Sequence, residues 1–268
     1  MVVVKGPSAF VSAAIDAALQ AGKLLQQMLP ESPVSKDVAT KRNPSDFVTR
    51  GDRMAEALIA RILRERFPDH GILAEEGTSH AGGEYRWIID PIDGTTNFVH
   101  GLPLFAVSIA LEQRQELVAG VIYHPSMDEL FGAERGRGAF LRHREHQEPL
   151  KVSDIGEVTQ SVVATGQPYD VEETGRNVAQ IERLARTASV RITGSAALHL
   201  AYVAAGRLEA FWEPGLSPWD YAAGVLLVVE AGGRISDMRG RAFHIDCQDV
   251  LATNGRVHDQ MVRLLANG

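Results

Sequence analysis

The segment Trp87-Ile88-Ile89-Asp90-Pro91-Ile92-Asp93-Gly94-Thr95-Thr96-Asn97-Phe98 restricts this chain more than any other. A short apolar strand ends in two carboxylates three residues apart, followed by Gly94 and two threonines. Pro91 between the acids stiffens the strand's end. A rigid carboxylate pair suits a hard cation such as Mg²⁺. The N–H groups of Gly94, Thr95 and Thr96, at the start of a turn or helix, are placed to receive an anion. Metal-carrying acids beside a phosphate cradle imply phosphoester chemistry.

The chain's 268 residues suffice for one large compact domain or two lobes sharing an interface. Its net charge is -7, from 34 acidic and 27 basic residues. That balance argues against a general nucleic-acid surface, which needs clustered Lys and Arg. It also leaves anionic substrates facing an acidic protein, a conflict that bound divalent cations would resolve. Cys247 is the only cysteine, so no internal disulfide can form, which fits a reducing cytoplasm. Val2-Val3-Val4 is broken by Lys5-Gly6-Pro7 and shows no signal-peptide core. No apolar run is long enough to suggest a membrane span.

Helical spacing of Phe10, Ala14, Ala17, Ala18, Ala21, Leu24, Leu25 and Met28 predicts an amphipathic helix over 8–29, closed by Pro30 and Pro33. The stretch 34–46, with Lys36, Lys41 and Arg42, reads as a mobile basic hairpin or loop. A second helix is expected over 51–66, with Met54, Leu58, Ile62 and Phe67 on one face, stopped by Pro68. Strands follow at 72–74, 87–89, 104–112, 117–123 and 129–133. The charged stretch 142–148 reads as an exposed loop and divides an N-terminal lobe, 1–145, from a C-terminal lobe, 146–268. Beyond it, strands at 160–165, 189–192 and 207–213 alternate with helices at 174–188, 195–205 and 217–231, before a last strand and helix. Such alternation favours a mostly parallel sheet. The first half reads as antiparallel with two leading helices.

Further acids have positions that allow either a structural or a chemical role. Asp52 stands at a helix entry, where it can cap the helix or complement its dipole. Glu75 precedes Glu76 and Gly77 at a strand's end, as in a solvated turn or a ligand loop. Asp220 opens an apolar helix beside Trp219, and Glu213 lies between Trp212 and Pro214. The order and wording of these patches together are far more specific than any one of them.

Together they resemble the inositol monophosphatase family, the Mg²⁺-dependent, lithium-sensitive phosphatase superfamily. The likeness runs from about Phe10 to Leu265. The segment from Trp87 to Phe98 looks like the family's first signature. Trp219-Asp220-Tyr221-Ala222-Ala223-Gly224, with Glu230-Ala231-Gly232-Gly233 behind it, looks like the second. The resemblance implies a two-lobed αβαβα sandwich, antiparallel in the N-terminal sheet and mixed to mostly parallel in the C-terminal one, with the site between. It implies Glu75, Asp90, Asp93 and Asp220 as carboxylate ligands, and Ile92 as a carbonyl ligand, of two or three Mg²⁺ ions. Asp52 and Thr95 match the pair that positions and activates the attacking water, with Glu75 also in the catalytic set. The Gly94 and Thr95 amides match the phosphate cradle, Asp93 is also among the implied substrate-binding residues, and Gly194, Ser195, Ala196 and Glu213 match the segments that hold a hydroxylated ring. Ser195 stands where Thr is also familiar. Lys41-Arg42-Asn43-Pro44-Ser45 departs further from the family's lysine loop, so Lys36 and Lys41 stay outside the site.

The implied reaction is hydrolysis of a small phosphate monoester by a metal-activated water, with myo-inositol 1-phosphate the expected substrate. Relatives act on fructose 1,6-bisphosphate, histidinol phosphate or nucleotide 3′-phosphates with the same metal core. A homodimer is implied too, and some bacterial members associate with the transcription machinery, so a protein partner is an alternative role. Other chemistries fit less well. Aspartyl-phosphate phosphatases carry acids two residues apart rather than three. A glycosidase has no use for the Gly-Thr-Thr cradle. EF-hand spacing is absent, no G-x-S-x-G is present, and the nine histidines form no zinc pattern. Trp87, Trp212 and Trp219 read as core or interface residues.

Overall fold

The computed structural model describes residues 7–29, 38–40, 47–168 and 170–266. Pro30 and Pro33, expected to stop the first helix, lie outside these residues, as do Lys36, Lys41 and Arg42. Helix α1 (Ala9–Met28) starts at Ser8, whose hydroxyl accepts the Val11 N–H at 3.4 Å. Strands β1 (Val38–Thr40) and β2 (Phe47–Thr49) pair antiparallel, bringing together the two ends of the expected basic hairpin. Helix α2 (Arg50–Arg66) opens with a capping box, in which the Thr49 N–H donates to Asp52 Oδ2 at 2.7 Å. Of the expected face, Ile62 is buried and Leu58 and Phe67 pack half-buried against the core, but the centre of the buried face lies elsewhere. Ala55, Ile59 and Leu63 are fully buried, while Met54 is 37% exposed. The small Ala55 joins Ile59 and Leu63 in an i, i+4, i+8 row, whereas the sequence reading followed the bulkiest side chains.

Next come β3 (Gly71–Ala74), β4 (Ser79–His80), β5 (Tyr85–Asp93), the short helix α3 (Thr95–Val99), β6 (Ala106–Gln113), β7 (Glu116–His124), β8 (Glu129–Glu134), β9 (Gly138–His143) and β10 (His146–Pro149). These strands form one sheet in the order β10-β9-β8-β7-β6-β5-β3-β4. It is antiparallel as expected, save that β3 and β5 run parallel because β4 takes the hairpin place beside β3. The stretch expected as a loop at 142–148 is instead a tight hairpin, His146 lying opposite His143, with Arg144 at φ 56° in the turn. Its exposed charges suit an edge strand that must not pair further.

The second half contains β11 (Val162–Ala164), α4 (Val171–Ala185), β12 (Ser189–Arg191), α5 (Ala196–Ala204), β13 (Ala210–Glu213), α6 (Pro218–Glu230), β14 (Arg234–Ser236), β15 (Val250–Thr253) and α7 (His258–Ala266). The sheet order is β12-β11-β13-β15-β14. It is mixed rather than mostly parallel: β11 runs parallel to β12 and β13, whereas β15 is antiparallel to β13 and β14. No helix joins β14 to β15, so the chain simply turns back there. Only one strand was expected in that stretch.

Alternation along the strands builds five layers. Trp87, Ile89, Val107, Ile109 and Val121 face α1 and α2, while Ile88, Ala106, Ala110 and Ile122 face α5 and α6. On the other sheet, Ala164, Phe211 and Ala252 also reach α5 and α6, and Val163, Ala210, Trp212 and Leu251 pack on α4 and α7. The result is the expected αβαβα sandwich. Helices α5 and α6 are covered on both sides, which explains why they are apolar nearly all round.

Close packing of α6 on the first sheet depends on Gly120, where a Cβ would lie 2.9 Å from the Ala223 carbonyl oxygen. Backbone cannot step aside cheaply. Gly120→Val is expected to cost about 1–3 kcal/mol in urea unfolding, as overpacked sites do. An unchanged midpoint would show that the layers yield at this point.

Candidate active site

Strand β5 does not stop at Ile89, as the sequence reading had it, but continues to Asp93 through an irregularity. Asp90 lies opposite Ser108 and Asp93 opposite Ala106, so three steps on β5 match two on β6. In a regular strand, residues three apart point to opposite faces. The bulge removes that difference, and both acids reach one cavity of about 560 Å³. Glu75, Ile92, Gly94, Thr95, Gly194, Ser195, Ala196, Glu213 and Asp220 line the same cavity. Asp52 lies behind this lining and reaches it through Thr95.

Asp93, Asp52 and Asp220 are held by identifiable partners. Asp93 accepts the Ala196 and Ala197 N–H groups at 3.2 and 2.9 Å and the Ser195 hydroxyl, so it sits on the first turn of α5 and ties the two sheets together. Asp52 is fully buried, with Oδ2 occupied by the α2 capping box and Oδ1 placed 3.1 Å from Thr95 Oγ1. The Thr95 hydroxyl is also 3.0 Å from the Ile92 carbonyl, so its one proton has two acceptors to choose between. Asp220 Oδ2 accepts the Ser217 N–H at 2.7 Å in a second capping box, so the structural reading of this residue holds beside its place on the cavity wall. Glu213 lies over Gly166, where any Cβ would collide with its carboxylate, and its Oε2 is buried without a partner.

Several contributors were not in the sequence reading. Glu56 is buried on α2, and its two oxygens accept the Glu76 and Thr78 N–H groups at 2.7 and 2.9 Å, fixing the turn that presents Glu75. Its place one helical turn after Asp52 was the available signal. Asn97, inside the quoted motif, donates to the Leu104 and Thr193 carbonyls, both at 2.7 Å. His199, at the back of the 193–196 wall, gave no sequence signal.

Electrostatics explains what the cavity calls for. Burial, then the charges of Glu75, Asp93 and Asp220, raise the Asp90 carboxyl well above the ordinary carboxylate range. Burial raises Asp93 to about 7 despite its hydrogen bonds. Glu213 is pushed well up by burial and then by Asp220 and Asp93, and Asp52 is raised chiefly by burial. Among the described residues, no three His, Cys, Asp or Glu side chains are gathered into a ready metal cluster. The donor set is nonetheless all oxygen and its acids repel one another, and both properties suit a hard divalent cation rather than zinc.

Fold and site together define a metal-dependent phosphatase. The chain matches the inositol monophosphatase family model over residues 7–267, and it belongs to that family. It is 45% identical over 251 residues to the inositol-1-monophosphatase of Mesorhizobium japonicum, covering 92% of each chain. It is 41% identical over 229 residues to the fructose-1,6-bisphosphatase/inositol-1-monophosphatase of Thermotoga maritima, covering 85% of this chain and 86% of the other. The crystal structure of the extragenic suppressor protein suhB from Bartonella henselae superposes with a TM-score of 0.91 at 41% identity, covering 97% of this chain and 100% of that one. No helix among the described residues is long and apolar enough to cross a membrane.

The raised acids give the fold a pH signature. Asp93, at about 7 when folded against 3.8, binds its proton in the folded state first, so stability rises as pH falls through that value. His258, lowered from 6.5 to about 4 by burial, acts oppositely, and only below its unfolded value. Chelator-treated protein should therefore melt at higher temperature as pH drops from about 8 to about 6.5, and a saturating divalent cation should flatten that slope. A slope that is flat without metal would contradict the mutual repulsion of these acids.

Proposed function

We propose that this enzyme hydrolyses myo-inositol 1-phosphate to inositol and phosphate with Mg²⁺, two or three ions, held by Glu75, Asp90, Asp93, Asp220 and the Ile92 carbonyl. The observation that carries the substrate reading is the buried, partnerless Oε2 of Glu213 on the cavity wall. Ring hydroxyls would satisfy that oxygen. A second phosphate would offer that oxygen no donor and would be repelled by an ionised Glu213.

Bound cations would supply Lewis-acid stabilisation of charge at phosphorus. The chain's own contribution is positional and acid–base. Thr95 Oγ1 holds the attacking water and accepts its proton while passing its own hydroxyl proton to Asp52 Oδ1, which orients the hydroxyl from behind. The Gly94 and Thr95 amides cradle the phosphate oxygens. Gly194, Ser195 and Ala196 bound the ring side. Water attacks phosphorus directly as the P–O ester bond breaks, the departing ring oxygen takes a proton from a solvent water in the open cavity, and no phosphoenzyme forms. The cytoplasmic homodimer implied by the family resemblance belongs to this proposal, and the lone Cys247 supports a reducing compartment. The double name of the Thermotoga maritima relative makes fructose 1,6-bisphosphate the second reading.

The test is phosphate release with Mg²⁺ from inositol 1-phosphate, fructose 1,6-bisphosphate, histidinol phosphate and a nucleotide 3′-phosphate. Inositol 1-phosphate is expected to lead in kcat/KM by about tenfold or more. A preference for the bisphosphate or nucleotide overturns the substrate and leaves the metal assignment standing. Asp90→Asn should lower Mg²⁺ affinity and turnover by about a hundredfold or more. Near-normal Mg²⁺-dependent turnover in that variant overturns the ligand assignment.

A further inference from the structure

Behind the ring-side wall of the cavity lies a buried imidazole that the reaction above does not use. His199 is on α5, one turn beyond Ser195, and is 1% exposed. Its Nε2 is 2.6 Å from Thr193 Oγ1 and 3.4 Å from the Thr193 backbone nitrogen. An N–H can only donate, so Nε2 carries the lone pair and the ring proton belongs on Nδ1, a tautomer assigned from the hydrogen-bond network. Nδ1 is buried with no partner. A buried donor left unmade is costly, and an apolar side chain among Phe211 and its neighbours would avoid that cost. What the imidazole gains against that cost is what Nε2 accepts. Burial lowers its pKa to about 3, so the lone pair persists across neutral and mildly acidic pH.

Thr193 is the junction that His199 controls. Its N–H and hydroxyl are turned inward to Nε2, and its carbonyl accepts Asn97 Nδ2 at 2.7 Å. The other Asn97 amide proton goes to the Leu104 carbonyl, so Asn97 cannot rotate to follow a displaced Thr193 without losing a bond. Gly194 follows at φ +81°, and its carbonyl oxygen lies 3.0 Å from where a Cβ on Gly94 would stand. The backbone of the phosphate-side motif and the backbone of the ring-side wall thus meet at two glycines. Thr193 decides how they meet.

We propose that His199 is a positioning residue: through its Nε2 acceptor it fixes Thr193 and so sets the 193–196 wall at the spacing that the substrate's alcohol portion requires. The inference rests on this cavity being the substrate site, but not on which monoester fills it. Loss of the acceptor should harm the fit of the intact ester more than the grip on its phosphate.

The experiment compares His199→Leu, His199→Gln, Thr193→Val and the His199→Leu/Thr193→Val double variant, using whichever monoester the unmodified enzyme hydrolyses best, with inorganic phosphate as competitive inhibitor. His199→Leu should raise KM about tenfold while kcat falls less than about threefold and the phosphate inhibition constant moves less than about twofold. Gln, whose amide oxygen reaches the place of Nε2, should restore KM to within about threefold. The double variant should be no worse than the poorer single one. The proposal is overturned if KM and the phosphate constant rise together, if Gln is as poor as Leu, or if the two substitutions add. Should His199→Leu fail to fold, Thr193→Val still decides: an unchanged KM in that variant overturns the proposal. A leading substrate other than inositol 1-phosphate would defeat the earlier reading and leave this test intact.

Discussion

Everything in this molecule turns on burying carboxylates that repel one another. Asp90 and Asp93 are 2% and 7% exposed, and Glu75 and Asp220 are close enough to raise Asp90 further. Like charges in a site of low dielectric constant oppose folding, so the rest of the structure has to impose the arrangement. The bulge on β5 turns two acids of one strand into a single cavity. The first turn of α5 then receives Asp93 with two N–H groups and a hydroxyl. Because α5 packs against both sheets, this one carboxylate couples the position of the second sheet to the chemistry at the end of the first.

Much of this was legible in the sequence because it rests on short-range signals. Helical spacing located α1 and α2, short apolar or alternating runs located strands of the first sheet, and the later alternation of strands and helices located α5 and α6. Eleven of the residues expected at the site lie around one cavity, and Asp52 stands behind Thr95. The failures have physical reasons. The buried face of α2 includes Ala55, whose small side chain carries little hydrophobic signal yet allows close approach to the sheet. The reversal between β14 and β15 occurs in a stretch with no helical period, where connectivity cannot be read from alternation. The bulge is invisible because a strand's period gives no notice of where it will be broken. His199 reads in sequence as one more residue of an apolar helix.

The acids also show that structural and chemical readings need not compete. Asp52 and Asp220 each stand at the third position of a helix and close a capping box, through Thr49 for the first and Ser217 for the second. At Asp52 one oxygen is taken by the cap, which leaves the other to meet Thr95. The helix start therefore does two things at once. It fixes the carboxylate's rotamer through a backbone N–H, and it adds the favourable field of the helix's N-terminal end. A side chain on a flexible loop would have to be ordered at the moment of binding, whereas these are ordered by folding itself.

The same economy explains why the 193–196 wall of the cavity is built at the start of α5 rather than from a free loop. Ser195 caps that helix through Leu198 N–H while donating its own proton to Asp93, so the wall and the acid are referenced to one helix terminus. Thr193 lies just outside this cap, beyond the reach of the helix's own hydrogen bonds. Something else must hold it. Asn97 does so from the α3 side and His199 from the core, and the two glycines between them permit the close approach of the backbones. The spacing between the 94–97 and 193–196 sides of the cavity is then set by contacts within a few residues of each other in space, though about a hundred apart in sequence. Only a rigid five-layer frame can keep such distant segments at that separation, which is why the site's dimensions follow from the core rather than from the surface.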